Sequence, residues 1–194
     1  MSSYRELMEK LRQAGQSFHR EWRDWQEGKL SHREKLRLKG LEPENVTLAR
    51  NKFYEALNLL YDTKLNPLDT KSQTNPPSAV DEIIEFLSVD VLAHRCGYAK
   101  EFLLTKLKSV ELSLEQKLNL QQISITFCEV NNFHREFRRW CRLAIKIADE
   151  NFLRELKNLS ESSNEYAVIK SKWMIETLIR HRKDLAKAFI NFTK

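Results

Sequence analysis

Hydrophobic residues recur along this chain at intervals of three or four positions, the spacing that places side chains on one face of an α-helix. The clearest stripe lies near the N-terminus and consists of Tyr4, Leu7, Leu11, Ala14, Phe18, Trp22 and Trp25. It predicts a helix from about Ser3 to Gln26, which Gly28 is placed to end. A second stripe predicts a helix after Pro43 and consists of Val46, Ala49, Phe53, Leu57 and Leu60.

Residues 63–77 interrupt this pattern. Their sequence, TKLNPLDTKSQTNPP, has no helical period and contains three of the four prolines of the chain. A cluster of prolines and small polar residues predicts a loop or linker. We therefore divide the chain into an N-terminal helical portion at residues 1–62, a linker at 63–77 and a helical bundle at 78–194. The alternative is that both helical parts form one compact domain.

Signals for helix starts are frequent after this segment. Asn75 or Ser78 can cap a first helix, and residues 113–116, Ser-Leu-Glu-Gln, have the spacing of a capping box. Asp149 can begin a short helix, and the last periodic segment predicts a long helix over about Glu165–Phe189. Together these segments predict about eight or nine helices and no strand. The expected fold is all-α, a multi-helix bundle whose C-terminal half is compatible with stacked helical hairpins.

The composition favours the same fold class. Charged residues make up 31% of the chain and only four of its 194 residues are glycine, which favours helices with short connections over sheets with tight turns. The three cysteines, Cys96, Cys128 and Cys141, are scattered, as expected for buried free thiols in a reducing compartment. The sequence shows no signal-peptide core and no run of eighteen apolar residues. We therefore expect a cytoplasmic protein without a membrane partner.

The net charge of +6 is distributed unevenly along the chain. Residues 1–40 carry ten basic and six acidic side chains, whereas residues 41–130 carry nine and thirteen. Residues 131–194 carry fourteen basic and eight acidic side chains. An anionic partner should therefore contact the two ends of the sequence rather than its middle.

One octet occurs twice, as FHREWRDW at residues 18–25 and as FHREFRRW at residues 133–140, with six of the eight positions identical. Similar segments follow both copies, so an ancient duplication of a helical hairpin is one interpretation. We favour the other, convergence on a helix face with aromatic residues inward and His and Arg outward. The copies differ in charge only at the seventh position, where Asp24 can pair with Arg20 but Arg139 leaves the second copy positively charged.

The second octet opens the most basic face of the sequence. On a helix with 100° per residue, an arc of about 140° opposite the apolar side holds His134, Arg135, Arg138, Arg139, Arg142 and Lys146. A second basic cluster, on the last helix, contains Arg180, Arg182 and Lys183. Because arginine suits bidentate contacts to phosphate or carboxylate, these residues are the candidate site for an anionic partner. A solvated helix face is the alternative.

Motifs for catalysis and cofactor binding are absent from the sequence. It lacks the phosphate-binding loops GxxxxGK[ST] and GxGxxG, the metal motifs HExxH and ExxH, zinc-ligand spacings and the GxSxG nucleophile elbow. Asp81 and Glu85 lie one turn apart, but the dipole of a helix explains carboxylates in its first turn better than a metal does. Cys96 beside His94 is better explained as a buried thiol than as an activated one. We expect no catalytic residue, no metal site and no cofactor.

These observations favour a non-enzymatic, helical binding or assembly protein. Its Arg-rich faces would contact a nucleic acid backbone or an acidic protein surface, for example in a small subunit of a nucleoprotein complex. The alternative is a protein-only adaptor that docks or self-associates through the N-terminal stripe, at Leu7, Leu11, Phe18, Trp22 and Trp25. An enzyme with an unrecognised site is the third hypothesis.

Overall fold

The computed structural model describes residues 3–26, 44–89, 96–130 and 136–192, and the chain divides into two compact units. Unit 1 consists of Met1–Pro67 and Val91–His94, and unit 2 consists of Leu68–Asp90 and Arg95–Lys194. The described residues form helices and no strand, so the predicted all-α, multi-helix fold class is confirmed. Within these ranges, no helix is both long and apolar enough to cross a membrane.

Unit 1 is built on two long helices, α1 (Tyr4–Gln26) and α2 (Glu44–Leu60), which pack against each other. The buried hydrophobic residues of α1 are Tyr4, Leu7, Met8 and Leu11. Those of α2 are the five that the second stripe predicted, Val46, Ala49, Phe53, Leu57 and Leu60. Farther along α1, the Phe18 ring stacks on the Phe53 ring with the centroids 5.9 Å apart. Tyr4, Leu7 and Leu11 of the first predicted stripe therefore share one core with all five residues of the second.

The structure corrects the predicted loop at residues 63–77, because this segment is helical except at Asn75. The chain forms, in order, a π-helical turn (Tyr61–Leu65), helix α3 (Asn66–Thr74) and helix α4 (Pro76–Ser88). The division between the two units falls between Pro67 and Leu68, inside α3.

The three prolines that suggested a loop occupy helix positions that tolerate proline. In a regular helix, a proline ring clashes with the carbonyl group four residues earlier. The π turn precedes Pro67, and within it the Asn66 N–H bonds to Tyr61 O, five residues back, which widens the helix at this point. Pro76 and Pro77 are the first residues of α4, where the missing N–H costs no hydrogen bond within the helix.

Unit 2 contains helix α4 and six further helices of the described residues, α5 (Cys96–Ser109), α6 (Leu114–Glu129), α7 (Phe137–Ile147), α8 (Glu150–Leu159), α9 (Glu165–His181) and α10 (Lys183–Phe192). Helix α9 contacts α6, α7, α8 and α10, while α4 packs on α5 and α6, and α5 packs on α7. The core of this unit includes the fully buried side chains of Phe86, Leu104, Trp140, Phe152 and Met174. The unit is therefore a bundle organised around α9.

Local sequence signals fix the starts of two helices in unit 2. At α6, Ser113 Oγ accepts from the Gln116 N–H at 3.1 Å, and Gln116 Oε1 accepts from the Ser113 N–H at 3.0 Å, which is the predicted capping box. At α8, Asp149 Oδ1 accepts from the Phe152 N–H at 2.8 Å, also as predicted. Each cap satisfies N–H groups that the first turn of a helix leaves without partners.

The predicted single helix over about Glu165–Phe189 is interrupted at Arg182, whose extended backbone separates α9 from α10. The Arg182 guanidinium donates to Ile145 O at 2.9 Å and to Ala148 O at 3.3 Å, at the end of α7. The interruption thus directs this side chain to another helix. Such a tertiary contact leaves no trace in the period of the hydrophobic residues.

Two lysines bind the C-terminal ends of other helices in the same way. Lys146 Nζ donates to three carbonyl oxygens at the end of α5, those of Leu107, Lys108 and Val110. The fully buried Lys170 donates to Phe127 O at 2.9 Å and to Val130 O at 2.7 Å, at the end of α6. The last carbonyl groups of a helix have no N–H partner within it and carry the negative end of its dipole, so a cation there is stabilised.

Candidate anion-binding groove

The two octets differ in their relation to helices. Residues 18–25 lie within α1, whereas α7 begins at Phe137 and contains the last four residues of the second octet. The prediction had placed the whole second octet on one helix, but Glu136 forms a turn before α7, and residues 133–135 lie outside the described residues. Of the candidate residues in it, His134 and Arg135 lie outside the described residues.

The glutamate shared by the octets faces a neighbouring helix in both copies. Glu21 accepts a hydrogen bond from Asn45 Nδ2 of α2 at 2.5 Å. Glu136 is buried, and its carboxylate lies 3.8 Å from Nζ of the buried Lys100 of α5. In each copy the glutamate carboxylate thus links the octet to a neighbouring helix.

A groove of about 350 Å³ runs between α7 and α9, and we call it the α7–α9 groove. The lining residues are Phe137, Arg138, Cys141, Arg142, Ile145, Trp173, Glu176, Thr177, Arg180 and His181. The two helices run in the same direction, because Phe137 lies beside Trp173 and Arg182 reaches the end of α7. One end of the groove is therefore aromatic, and arginines follow along both walls.

Three arginines meet in this groove, although they come from different helices. Arg138 and Arg142 belong to α7 and Arg180 belongs to α9, and all three are exposed. Within the part of the chain that the structure describes, none of them forms an ion pair. Glu176 contributes one carboxylate to the lining and His181 an imidazole. With three arginines and one glutamate, the groove carries net positive charge. Its concave shape concentrates the electric field of these charges.

Arg139 and Lys146 face elsewhere, which corrects their predicted place on one common basic face. Arg139 Nε lies 3.9 Å from a carboxylate oxygen of Glu101 on α5, so the residue that distinguishes the second octet has a counter-charge. The Nζ of Lys146 is engaged by the carbonyl oxygens at the end of α5, and burial lowers the pKa of this lysine. The basic face of α7 is therefore divided between the groove and α5.

Of the second predicted cluster, only Arg180 lines the groove. Arg182 binds the end of α7 and also forms a 2.5 Å ion pair with Asp184. The hydrogen bonds from Arg182 lower the pKa of the Asp184 carboxyl to about 2. Lys183 is exposed at the first position of α10 and does not line the groove. The structure thus corrects the role of Arg182, which is a structural cation.

Two of the five residues of the docking stripe predicted on α1 lie in the core of unit 1. Leu7 and Leu11 are buried within unit 1, where α1 packs against α2. Phe18 and Trp22 are half-buried, with their ring centroids 5.8 Å apart. The side chain of Trp25 lies outside the described residues. Leu7 and Leu11 therefore serve the core of the unit and are not exposed to a separate partner.

Trp173 is the groove residue that sequence reasoning missed most clearly. On α9 the large hydrophobic side chains of Tyr166, Ile169 and Trp173 are exposed, whereas Lys170 and Ser171 are buried. Hydrophobic period alone assigns an aromatic residue to the core and a lysine to the surface, the reverse of this arrangement. The usable signal was spacing, since Trp173 precedes Arg180 by seven residues and so shares its helix face.

The two described cysteine side chains are poor nucleophiles. Burial raises the pKa of Cys141, which lines the groove, to about 12, and burial raises the pKa of Cys128 to about 12 as well. Both are therefore protonated at neutral pH, whereas a nucleophilic cysteine acts as the thiolate. Among the described residues, no cluster of His, Cys, Asp and Glu is arranged to hold a metal ion.

Comparisons of the chain with protein-family models, with curated proteins and with solved structures found no match. Function is therefore inferred from the chemistry of the α7–α9 groove, which offers guanidinium groups, an exposed indole and a concave surface. Such groups recognise anions and planar rings.

Proposed function

We propose that this protein is a non-enzymatic binding or assembly protein whose α7–α9 groove holds the phosphate backbone of a nucleic acid. The observation that supports this most is the convergence of Arg138, Arg142 and Arg180 on one concave surface. Their guanidinium groups are exposed, and no described carboxylate pairs with them. A phosphate chain would supply the acceptors that these donors lack, and it would do so without reading base sequence. A role as a small subunit of a nucleoprotein complex fits this chemistry.

The arrangement on α7 adds support. Arg138 and Arg142 lie one helical turn apart, and like charges at this spacing slightly destabilise a helix. A bound polyanion would remove that repulsion. The polyanion would also release the counterions condensed on it, which gives the association a favourable entropy. The proposal therefore predicts binding that weakens as salt is added.

Fluorescence anisotropy with a labelled oligonucleotide tests this proposal. Across about 50 to 200 mM salt, the logarithm of the affinity should fall with the logarithm of the salt concentration with a slope of about −2 to −3, because three arginines neutralise about three phosphates. A slope near zero, or no binding at the lowest salt, would contradict the proposal.

Charge-reversal variants then locate the binding surface. The triple variant Arg138→Glu, Arg142→Glu and Arg180→Glu should lose binding by at least a hundredfold. A matched triple variant changes the net charge equally at exposed lysines outside the groove, Lys10→Glu, Lys52→Glu and Lys187→Glu. It should retain most of the affinity. Equal losses in both variants would mean that net charge, and not the groove, attracts the nucleic acid.

A further inference from the structure

We infer that the nucleic acid held in the α7–α9 groove is single-stranded and that one of its bases stacks on Trp173. This inference rests on the proposed function, because it names the form of the same partner. The residues that carry it are an exposed aromatic platform and the arginines that follow it along the groove. Proteins that bind single strands combine these two elements, a positive groove for the backbone and aromatic rings for the bases.

Trp173 has the properties of a platform. Half of its surface is exposed, at 50%, although tryptophan side chains are highly buried on average. Its ring lies against Phe137, with the centroids 5.9 Å apart and the planes 36° apart. Phe137 is itself only 2% exposed, so it supports the indole from the protein side. The supported ring is thus held at the surface, where an incoming planar group can cover it.

The distance from the platform to the arginines suits one continuous strand. Trp173 and Arg180 are seven residues apart on α9, which corresponds to about 10 Å along the helix axis. On the opposite wall, Arg138 directly follows Phe137 in sequence, and Arg142 lies one turn farther along. A strand whose base covers Trp173 would therefore bring its neighbouring phosphates past all three guanidinium groups.

The exposed face of α9 extends the platform in the other direction. Ile169 and Tyr166 precede Trp173 by four and seven residues, so the three side chains lie along one side of the helix. Ile169 is 41% exposed and Tyr166 is 38% exposed. A strand that leaves Trp173 on this side would meet an apolar contact and then a second aromatic ring.

A single strand fits these features better than a duplex does. In a duplex the bases are paired and stacked inside the helix, so an aromatic side chain in a backbone-binding groove finds no free base face. In a single strand every base has an accessible face, and stacking on an aromatic side chain is tolerant of sequence. Trp173 would then contribute affinity that depends on bases, while the arginines contribute affinity that depends on phosphates.

The variant Trp173→Leu separates these two contributions, since leucine keeps an apolar contact with Phe137 but cannot stack. Its affinity for a labelled single strand should fall by about tenfold or more. Its affinity for an abasic strand of the same length, and for inorganic polyphosphate, should equal that of the unaltered protein, which also reports that the variant is folded. The matched control is Tyr98→Leu, because Tyr98 is an aromatic residue of α5 that is 60% exposed and lies outside the groove. It should bind the single strand normally.

The possible results distinguish the inference from the proposed function. If Trp173→Leu binds the single strand as tightly as the unaltered protein, or if a duplex of the same sequence binds as tightly as the strand, the inference is wrong. The arginine reversals then still decide whether the groove holds a phosphate backbone. If polyglutamate binds and no nucleic acid does, the partner is an acidic protein surface, and both the proposed function and the inference fail.

Discussion

At the scale of single residues, the role of a basic side chain in unit 2 depends on the acceptor that it reaches. Lys146, Lys170 and Arg182 reach main-chain oxygens at helix ends, whereas Arg138 and Arg142 remain exposed in the groove. A buried ammonium is stable only when hydrogen bonds replace its water shell, and the free carbonyl groups of a helix end provide them. The cations that hold helix ends are thus unavailable to a ligand.

Lys170 gives the sharpest prediction at this scale. In Lys170→Met, Phe127 O and Val130 O lose a buried donor, so the free energy of unfolding should fall by about 2 kcal/mol or more. Chemical denaturation followed by circular dichroism measures this change. The matched variant Lys172→Met alters an exposed lysine on the same helix and should change the free energy by less than about 0.5 kcal/mol. Similar values for the two variants would show that the buried contacts do not stabilise the unit.

At the scale of helices, the packing of α1 against α2 depends on a small residue between them. Gly15 lies in the interior of α1, and a Cβ built there would lie 3.5 Å from Phe53 Cε2 and 3.6 Å from Phe53 Cδ2. These are ordinary van der Waals separations, so a methyl group fits but a larger side chain would have to displace the Phe53 ring. That ring is stacked on Phe18.

Two substitutions at Gly15 should therefore have opposite effects. Gly15→Ala should raise the free energy of unfolding by about 0.5 to 1 kcal/mol, because alanine restricts the unfolded chain and favours the helix. Gly15→Leu should lower it by about 1 to 3 kcal/mol, because the added atoms overpack the helix contact. Thermal or urea unfolding of both variants measures the difference. Stabilisation by leucine would mean that the space beside Phe53 is larger than the structure indicates.

At the scale of the whole molecule, two buried thiols should make the free energy of unfolding fall as the pH rises through the alkaline range. Burial in the folded protein raises the pKa of Cys128 and of Cys141 to about 12, from the ordinary thiol value of 9.0. Between these values the unfolded chain has released thiol protons that the folded chain retains. The contribution of the thiols to the free energy of unfolding is therefore complete below about pH 9 and is lost as the pH rises toward 12. Each thiol lowers the free energy of unfolding by about 1.4 kcal/mol for each pH unit in this range.

Urea unfolding at intervals from pH 8.5 to 11 should show this loss. The double variant Cys128→Ala and Cys141→Ala should be less stable at every pH, because alanine leaves space in the core, yet its stability should decline less steeply with pH. The difference in slope isolates the thiols from lysines and tyrosines, which titrate in both proteins. Parallel curves would show that the thiol protons are not linked to folding.

Much of the fold could be predicted from local sequence patterns, whereas the set of residues that line the α7–α9 groove could not. Ser113 and Asp149 cap helices at the predicted positions, because a side chain that bonds to an N–H three residues away needs no other part of the chain. Arg138, Arg142 and Arg180 were candidates by charge, but only the packing of α7 against α9 brings them together. The prolines of residues 63–77 led to the wrong prediction of a loop, because each of them occupies a helix position that tolerates proline.

The sequence by itself determined the helical class, the buried faces of α2 and the capped helix starts, because hydrophobic period and capping act within about four residues. Only the tertiary structure decided which polar and aromatic groups are exposed. Lys170 is buried because carbonyl oxygens 40 and 43 residues earlier in the chain accept its hydrogen bonds, and Trp173, three residues later, stays at the surface. Contacts over such distances depend on how whole helices pack, which no local pattern specifies.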